Sequence, residues 1–416
     1  MAYTETTSTS WFQRLGSSFG GMAAGIVAII IGTGLLYWNE GDYVYTGDSI
    51  NEAQSLVVEI PDITKIDPSF TGKLIHATGM TETKDTLTDG IFGIQTIAVK
   101  MQRKSEYYQW VESSKTETKK KLGGGEEKVI TYTYKQEWVT SPVNSSEFKD
   151  PAYKNMNSVL TTVPEETIAA PTVTFGAYTL PPFLKNSISG NIPLNVQLTE
   201  SKIAELSKHI NPQAAQPVNP RQDDMPGFGR VADDPKPRAG VHIQGNTIYL
   251  GISPATPQNG DVRVNFTEVK PAQISIVAKV TGSTFEQYRA SNNKTFSAFS
   301  MGTVGVENLF ASAHSSNSTM TWVLRVVGVI LVIAGLKMIV APLAVFASVI
   351  PLLGSIVGAG TGIVCTLLGL AWSFLVISIA WLRFRPLIGG ALVAVALALI
   401  AVLYMKGRKR KAVEAS

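Results

Sequence analysis

The most constraining feature of the chain is the stretch from Trp322 to Met405, which carries only four charged side chains: Arg325, Lys337, Arg383 and Arg385. Between Lys337 and Arg383 there is no Asp, Glu, Lys, Arg or His. A soluble domain has no use for so long an apolar run, but a bilayer does. About 20 apolar residues cross a hydrocarbon core of about 30 Å. Backbone polar groups in that core must be satisfied within the segment, so the spanning pieces should be helices. A second run, Leu15 to Asn39, is also free of charge. It is too long for the hydrophobic part of a signal peptide, and no cleavage pattern followed by a mature start is evident. It reads as a signal anchor, with Arg14 on the cytoplasmic side and Tyr37 and Trp38 at the far interface. Residues 40–321 then form a domain tied to the bilayer at both ends.

The formal charge of +4 hides a division: residues 40–321 net −4, and the remainder nets +8. This is a mildly acidic domain with basic membrane flanks. Nucleic-acid binding would want Lys and Arg clustered with aromatics on one face, so no nucleic-acid partner is expected. The single cysteine, Cys365, lies in an apolar segment. It excludes an intrachain disulfide and a cysteine-type zinc site. At over 250 residues, the domain is long enough to bury a core of its own.

Taken in order, residues 1–14 are polar and rich in Ser and Thr, which predicts a disordered cytoplasmic tail. The first span is expected at 15–39 and ends at Asn39-Glu40-Gly41. Within it Gly16, Gly20, Ala24, Ala28 and Gly32 recur every four residues. Such a ridge lets another helix approach closely, although small residues are also simply frequent in membrane helices. Short β-type runs follow at 56–60, 73–78 and 94–101. Residues 106–112 and 128–139 read as two strands; the second alternates with β-branched and aromatic residues on one side. The charged, Gly-rich KTETKKKLGGGEE between them predicts a long antiparallel hairpin with a flexible tip. Its Lys119–Lys121 cluster is a solvated loop or a headgroup contact. A helix is expected at 199–210, capped by Thr199. Residues 211–238 hold six prolines and read as a long loop. Strands resume at 240–244 and 247–250 around a Gly245-Asn246 turn, then at 261–266 and 273–280.

The second span is expected at 322–345, a turn or interfacial piece at 346–353, and a third span at 354–381 with its own small ridge, Gly354, Gly358 and Gly362. Pro386 opens a fourth span at 386–405, ahead of the basic tail 406–416. The Lys and Arg cluster at 406–411 belongs in the cytoplasm, which puts the large domain on the non-cytoplasmic side. Arg383 and Arg385 then lie on the wrong side for that rule, and five spans remain an alternative count. The fold class expected is a multi-span α-helical membrane protein, with four spans and a large, sheet-rich α+β domain between spans 1 and 2.

The order of landmarks resembles the transmembrane protein 43 family, also called LUMA. The landmarks are the Gly-rich first span with Asn39-Glu40-Gly41; Tyr108, Gln109, Trp110, Val111 and Glu112; Tyr134 with Glu137-Trp138; Gly260-Asp261 with Arg263; Thr321-Trp322 and Arg325; then Trp381-Leu382 and Arg385-Pro386-Leu387. The resemblance implies a self-associating protein of four spans. In animals it implies the inner nuclear and endoplasmic reticulum membranes, a lumenal domain and lamin- and emerin-type partners. A bacterial relative would sit in the inner membrane with the domain facing the periplasm.

No catalytic constellation is visible. His76, His209, His242 and His314 share no metal-ligand spacing, and no P-loop, G-x-S-x-G or dinucleotide fingerprint occurs. No cofactor is expected. Gln109, Trp110, Glu112, Glu137 and Trp138 are either a polar-aromatic site or cross-strand packing pairs. Glu40 and Arg325 sit at matching ends of the first two spans and form a candidate interface pair. The function expected is a non-enzymatic, oligomeric membrane scaffold binding lipid and other membrane proteins. An ion channel or lipid-handling protein is the alternative, and an enzyme a distant third.

Overall fold

The computed structural model describes residues 3–214 and 239–391. Most of the proline-rich stretch, residues 392–405 of the expected fourth span and the tail 406–416 lie outside the described residues. The described chain has three helices long and apolar enough to cross a membrane, with a sheet-rich domain between the first and the other two.

The amino terminus is a strand, β1 (Tyr3–Thr9), where the sequence suggested a disordered tail. Its partner strand supplies the order that its own polar residues cannot. Helix α1 (Trp11–Leu56) then begins on a capping box, in which the Ser10 hydroxyl accepts from Gln13 N–H and the Gln13 side chain accepts from Ser10 N–H. It does not stop at Asn39-Glu40-Gly41. No proline interrupts it, and its continuation is a stalk that buries Ser49, Ile50 and Ala53.

The domain is built on two sheets. The first is a mainly antiparallel sheet whose longest members are β3 (Lys100–Lys120) and β4 (Glu126–Val139); β2 (Leu74–Glu82) belongs to the second. The hairpin of β3 and β4 is in register from Tyr107↔Val139 to Lys120↔Glu126. Most of the expected flexible tip is therefore paired strand, and only residues 121–125 turn. Helix α2 (Glu200–Ala214) precedes β5 (Gly240–Gln244), β6 (Thr247–Gly251) and β7 (Val262–Val269). The spatial order β1-β4-β3-β7-β6-β5 completes the first sheet's main path. In the second sheet β2 pairs β8 (Gln273–Thr281), which also pairs β9 (Ala298–Met301). The inner faces of both sheets enter one core, with Ile75 and Ile276 from one and Met101, Val264 and Phe266 from the other.

Helix α3 (Val306–Ala347) carries the chain from the domain to the far end of the helix pair. Pro342 lies inside it without ending it, as membrane helices tolerate. Helix α4 (Pro351–Phe384) starts with Pro351 in its first turn. Residues 322–384 thus form two described helices. Two further apolar clusters join the parts: Ile50, Ala53, Leu309 and Phe310 pack against Phe296 and Val277 of the domain, while Leu36, Val332 and Val376 join the three helices.

Candidate functional site

The helices meet along a seam set by where their smallest residues fall. Gly25 and Gly32 of α1 are buried, and a Cβ on Gly25 would lie 2.7 Å from the Gly335 carbonyl oxygen. A Cβ on Gly32 would lie 3.0 Å from the Gly328 oxygen. Leu36 continues the line by packing on Gly328. The spacing Gly25, Ile29, Gly32, Leu36 alternates four and three, as in a left-handed helix pair. Of the expected ridge, Gly32 lies in the seam. Gly16 and Gly20 have nothing within 4 Å of a built Cβ, Ala24 is exposed and Ala28 half-buried. On α4 the close approach is at Gly369, against Ile333; Gly362 faces open space, Gly358 only grazes Ala344, and Gly354 lies in the first turns of the helix.

The seam ends in a polar collar. Glu40, 1% exposed, accepts from Arg325 Nε at 2.6 Å and from Arg325 Nη2 at 2.8 Å. The Trp381 indole N–H from α4 donates to the second Glu40 oxygen at 2.7 Å. Asn39 donates to the Thr321 carbonyl at 3.1 Å. The Arg325 guanidinium also lies over the Trp322 ring, 4.7 Å from its centroid. All three helices therefore contribute to one buried carboxylate–guanidinium pair, whose polar atoms are multiply bonded as a low-dielectric site requires. Next to it Phe384 covers Gly41, and Arg385 lies 4.2 Å above the Tyr43 ring. Pro386 opens the helical turn that follows. Trp381 and Asn39 stand among the family landmarks, but the sequence reading gave neither a part in the collar, although each carries an N–H donor at the end of an apolar run.

The family-like residues of the domain divide between the two faces of the first sheet: Tyr108, Trp110, Glu112, Trp138 and Arg263 lie on the outer face, while Gln109, which is buried, pairs with Glu137 on the other. Tyr108 and Trp138 are direct cross-strand partners, 5.2 Å apart. The Arg263 guanidinium lies 4.3 Å over the Trp138 ring and pairs with Glu106 at 2.6 Å. Tyr249 donates its hydroxyl to the buried Asp261, which also accepts from Gln258 N–H. Burial pushes the Asp261 carboxyl up, against the opposing pull of those two hydrogen bonds. Burial, then the bond to Asp261, raises the Tyr249 phenol. Gly251 is required here, since a Cβ would strike the Asp261 carboxyl. Trp110 packs edge-on against Tyr153. Glu112 accepts from the Tyr134 hydroxyl at 2.6 Å and from Lys149 N–H at 2.7 Å. Gln109 ties down the loop after β4 through Ser158 and Val143. Glu137 makes an ion pair with Lys135 across one strand face. These contacts read as a folded, aromatic and charged surface with each group already partnered. They bring no nucleophile and base together.

The far end of the helix pair is clamped by the hairpin tip. Arg14 pairs with Glu126 at 2.7 Å, donates to the Gly124 carbonyl and reaches the Ser348 hydroxyl at 3.2 Å. Trp11 donates to the Val345 carbonyl at 2.9 Å, and Gly123 N–H to that of Val349 at 3.1 Å. Arg14 and Glu40 are 26 residues apart in one helix, about 39 Å at 1.5 Å per residue. The domain thus touches the helix pair at both ends of its apolar length.

Of the histidines, His76 is buried with Nδ1 3.1 Å from Glu59 and Nε2 3.0 Å from the Val304 carbonyl. His242 lies against Tyr249 and the Gly251 carbonyl. Among the described residues no group of three or more His, Cys, Asp or Glu side chains is placed to hold a metal.

Three apolar helices, a buried interhelical ion pair and a domain inserted after the first helix define a multi-span membrane protein. The family model described as Transmembrane protein 43 matches residues 107–386. The chain belongs to that family. It is similar to human Transmembrane protein 43, at 25% identity over 410 residues, covering 96% of this chain and 92% of the human one. The orang-utan (Pongo abelii) protein of the same name is 26% identical over 411 residues, with the same coverage. The Drosophila melanogaster homolog is 24% identical over 374 residues, covering 88% of this chain and 90% of its own. No solved structure matches.

Proposed function

We propose that the chain is a non-enzymatic membrane scaffold that self-associates and organises other membrane proteins. The observation that carries this reading is the polar ribbon of β1, β3 and β4, whose tip holds the far end of the helix pair while its root belongs to the domain. Its side chains here, from Glu112 to Lys121, include Lys115, Glu117, Lys119 and Lys120. Strands with such side chains do not border hydrocarbon; at membrane depth they need protein or water beside them. Further copies of the chain supply that surrounding. The outer sheet face, with Tyr108, Trp138 and Arg263, has the aromatic and arginine composition typical of protein interfaces, which supports partner binding.

In this reading a fourth span follows Pro386, the tail 406–416 is cytoplasmic and the domain lies on the other side. Arg14 and Lys119–Lys121 then reach the cytoplasmic face, where the distribution of basic residues favours them. The partners are membrane lipids, further copies and other envelope proteins: lamin- and emerin-type in a nuclear membrane, inner-membrane proteins in a bacterium. The test is crosslinking in a mild detergent followed by native mass of the purified complex. A discrete oligomer retaining one or two proteins supports the scaffold, and a monomer retaining lipid alone sinks it.

The same ribbon favours one second reading. Water admitted along its charged side chains would give an assembly an ion path. Reconstituted vesicles would then show a selective leak that Lys115→Ala and Glu117→Ala alter. Flux equal to empty vesicles removes this alternative.

A further inference from the structure

Just beyond the collar, on the domain side, the stalks of α1 and α3 diverge around a cleft of about 620 Å³, closed at the back by residues 294–300. Its walls are small and polar: Thr46, Ser297, Asn308, Ser312 and Ser316. Its floor is apolar, formed by Ile50, Phe296 and Leu309. Lys294, the one charged residue of the lining, is bound to the Asp42 carboxylate. Asn317 is occupied at the membrane end, where it donates to the Tyr43 carbonyl at 3.0 Å. Among the described residues, the side chains of Ser297, Asn308, Ser312 and Ser316 have no hydrogen-bond partner within the protein, and the last three face solvent.

The lining selects a chemistry. With its single cation neutralised, the cleft offers no unpaired charge to an anion and no free carboxylate to a cation. Hydroxyls both donate and accept, as does an asparagine amide, so the walls match a ligand that does the same. The volume is that of a small-molecule site with a few convergent polar groups over an apolar floor. Glu40 of the collar pair lies two residues before Asp42 in α1, so the cleft opens at the polar end of the apolar helices. We propose that the cleft binds an uncharged, hydroxyl-rich unit, a glycosyl group, held by its small polar walls. A glycolipid headgroup and a free sugar share this chemistry. The proposal is independent of the scaffold reading.

The full chain, purified in a zwitterionic detergent that carries no sugar, can be examined by native mass spectrometry. The probes are glucosyl diacylglycerol, diacylglycerol, phosphatidic acid and methyl glucoside. Saturable retention of glucosyl diacylglycerol, with no retention of diacylglycerol, is expected. Ser312→Trp, which fills the cleft from one wall, and Ser297→Leu, from the other, should each weaken it at least 10-fold. Thr319→Trp, on the same helix outside the cleft, should leave it unchanged. Methyl glucoside binding alongside would assign a free sugar as sufficient, and its absence would assign the bilayer lipid. Equal retention of phosphatidic acid, or glucosyl diacylglycerol retention unaltered in both cleft variants, would overturn the proposal. Matching melting temperatures of the four proteins separate lost binding from lost fold.

Discussion

At the scale of single residues, Glu40 joins all three helices. Its two oxygens accept three hydrogen bonds from two helices other than its own. Removing one partner of such a buried pair leaves the other charge uncompensated, at a cost of about 3–5 kcal/mol. Arg325→Ala should therefore lower the detergent melting temperature far more than Trp381→Phe, which deletes one donor worth about 1.5–3 kcal/mol. Double exchange, Glu40→Arg with Arg325→Glu, should recover part of the loss of either single reversal. No recovery would mean that the pair contributes through packing alone. A second residue-scale latch fixes the stalk to the domain: Tyr288 and Ser291 both donate to Glu52. The bond to Glu52, then burial, pushes the Tyr288 phenol up to about 12 from 10.0. The Ser291 hydroxyl, then that of Tyr288, holds the Glu52 carboxyl below its usual 4.5. A raised phenol contributes stability that is complete below pH 10 and is lost as pH climbs to about 12. A lowered carboxyl contributes stability present above 4.5 and lost as pH falls through its folded value. Between those limits the latch is closed. Melting temperature against pH should fall less between 10 and 12 for Tyr288→Phe than for the native chain; parallel curves would refute the latch.

At the scale of elements, the helices were legible but their contact line was not. A residue every four positions advances 400° at 3.6 residues per turn, so a strict four-residue ridge drifts by about 40° per step. Gly16, Gly20, Ala24, Ala28 and Gly32 therefore wind around α1, and of that ridge's glycines only Gly32 meets α3. The working seam needs alternate steps of four and three, and Gly25, Gly32 and Leu36 carried that signal in the sequence. Gly25→Leu should overpack against the Gly335 backbone and cost about 1–3 kcal/mol. Gly16→Leu, facing open space, should stay within about 0.5 kcal/mol. Thermal unfolding of both in one detergent decides the matter; similar losses would show that the seam lies elsewhere. The Glu40–Arg325 contact was readable for a simpler reason. Antiparallel helices of matched apolar length bring the polar residues at their ends to one level. The alternation in β4 was equally plain, whereas β1 offered no apolar alternation. Its register, Tyr3↔Tyr132 to Thr9↔Glu126, is supplied by a partner more than a hundred residues away.

At the scale of the whole molecule, that register decides how water reaches the helices. β1 leads straight into α1, so the hairpin and the first span are tied together at the tip by Arg14 and Glu126. If the tie persists in a bilayer, charged strands and an apolar helix run side by side over about 39 Å. Only a water-filled or protein-filled space accommodates the strands. The one native cysteine, Cys365, is buried, so introduced cysteines report cleanly. Thr6 and Val129 are paired across β1 and β4. The double variant Thr6→Cys, Val129→Cys should form a disulfide in native membranes under mild oxidant. Thr116→Cys, on β3, should react with a charged, membrane-impermeant maleimide in reconstituted vesicles, while Ile30→Cys, exposed on the apolar part of α1, should not. Labelling at Thr116 without the crosslink would mean that the ribbon is wet but that β1 leaves it when the helix inserts. The chain would then have two arrangements of its amino terminus, with the Arg14–Glu126 pair marking the one outside the bilayer. Crosslinking together with labelling would instead require the assembly to enclose water beside each first span.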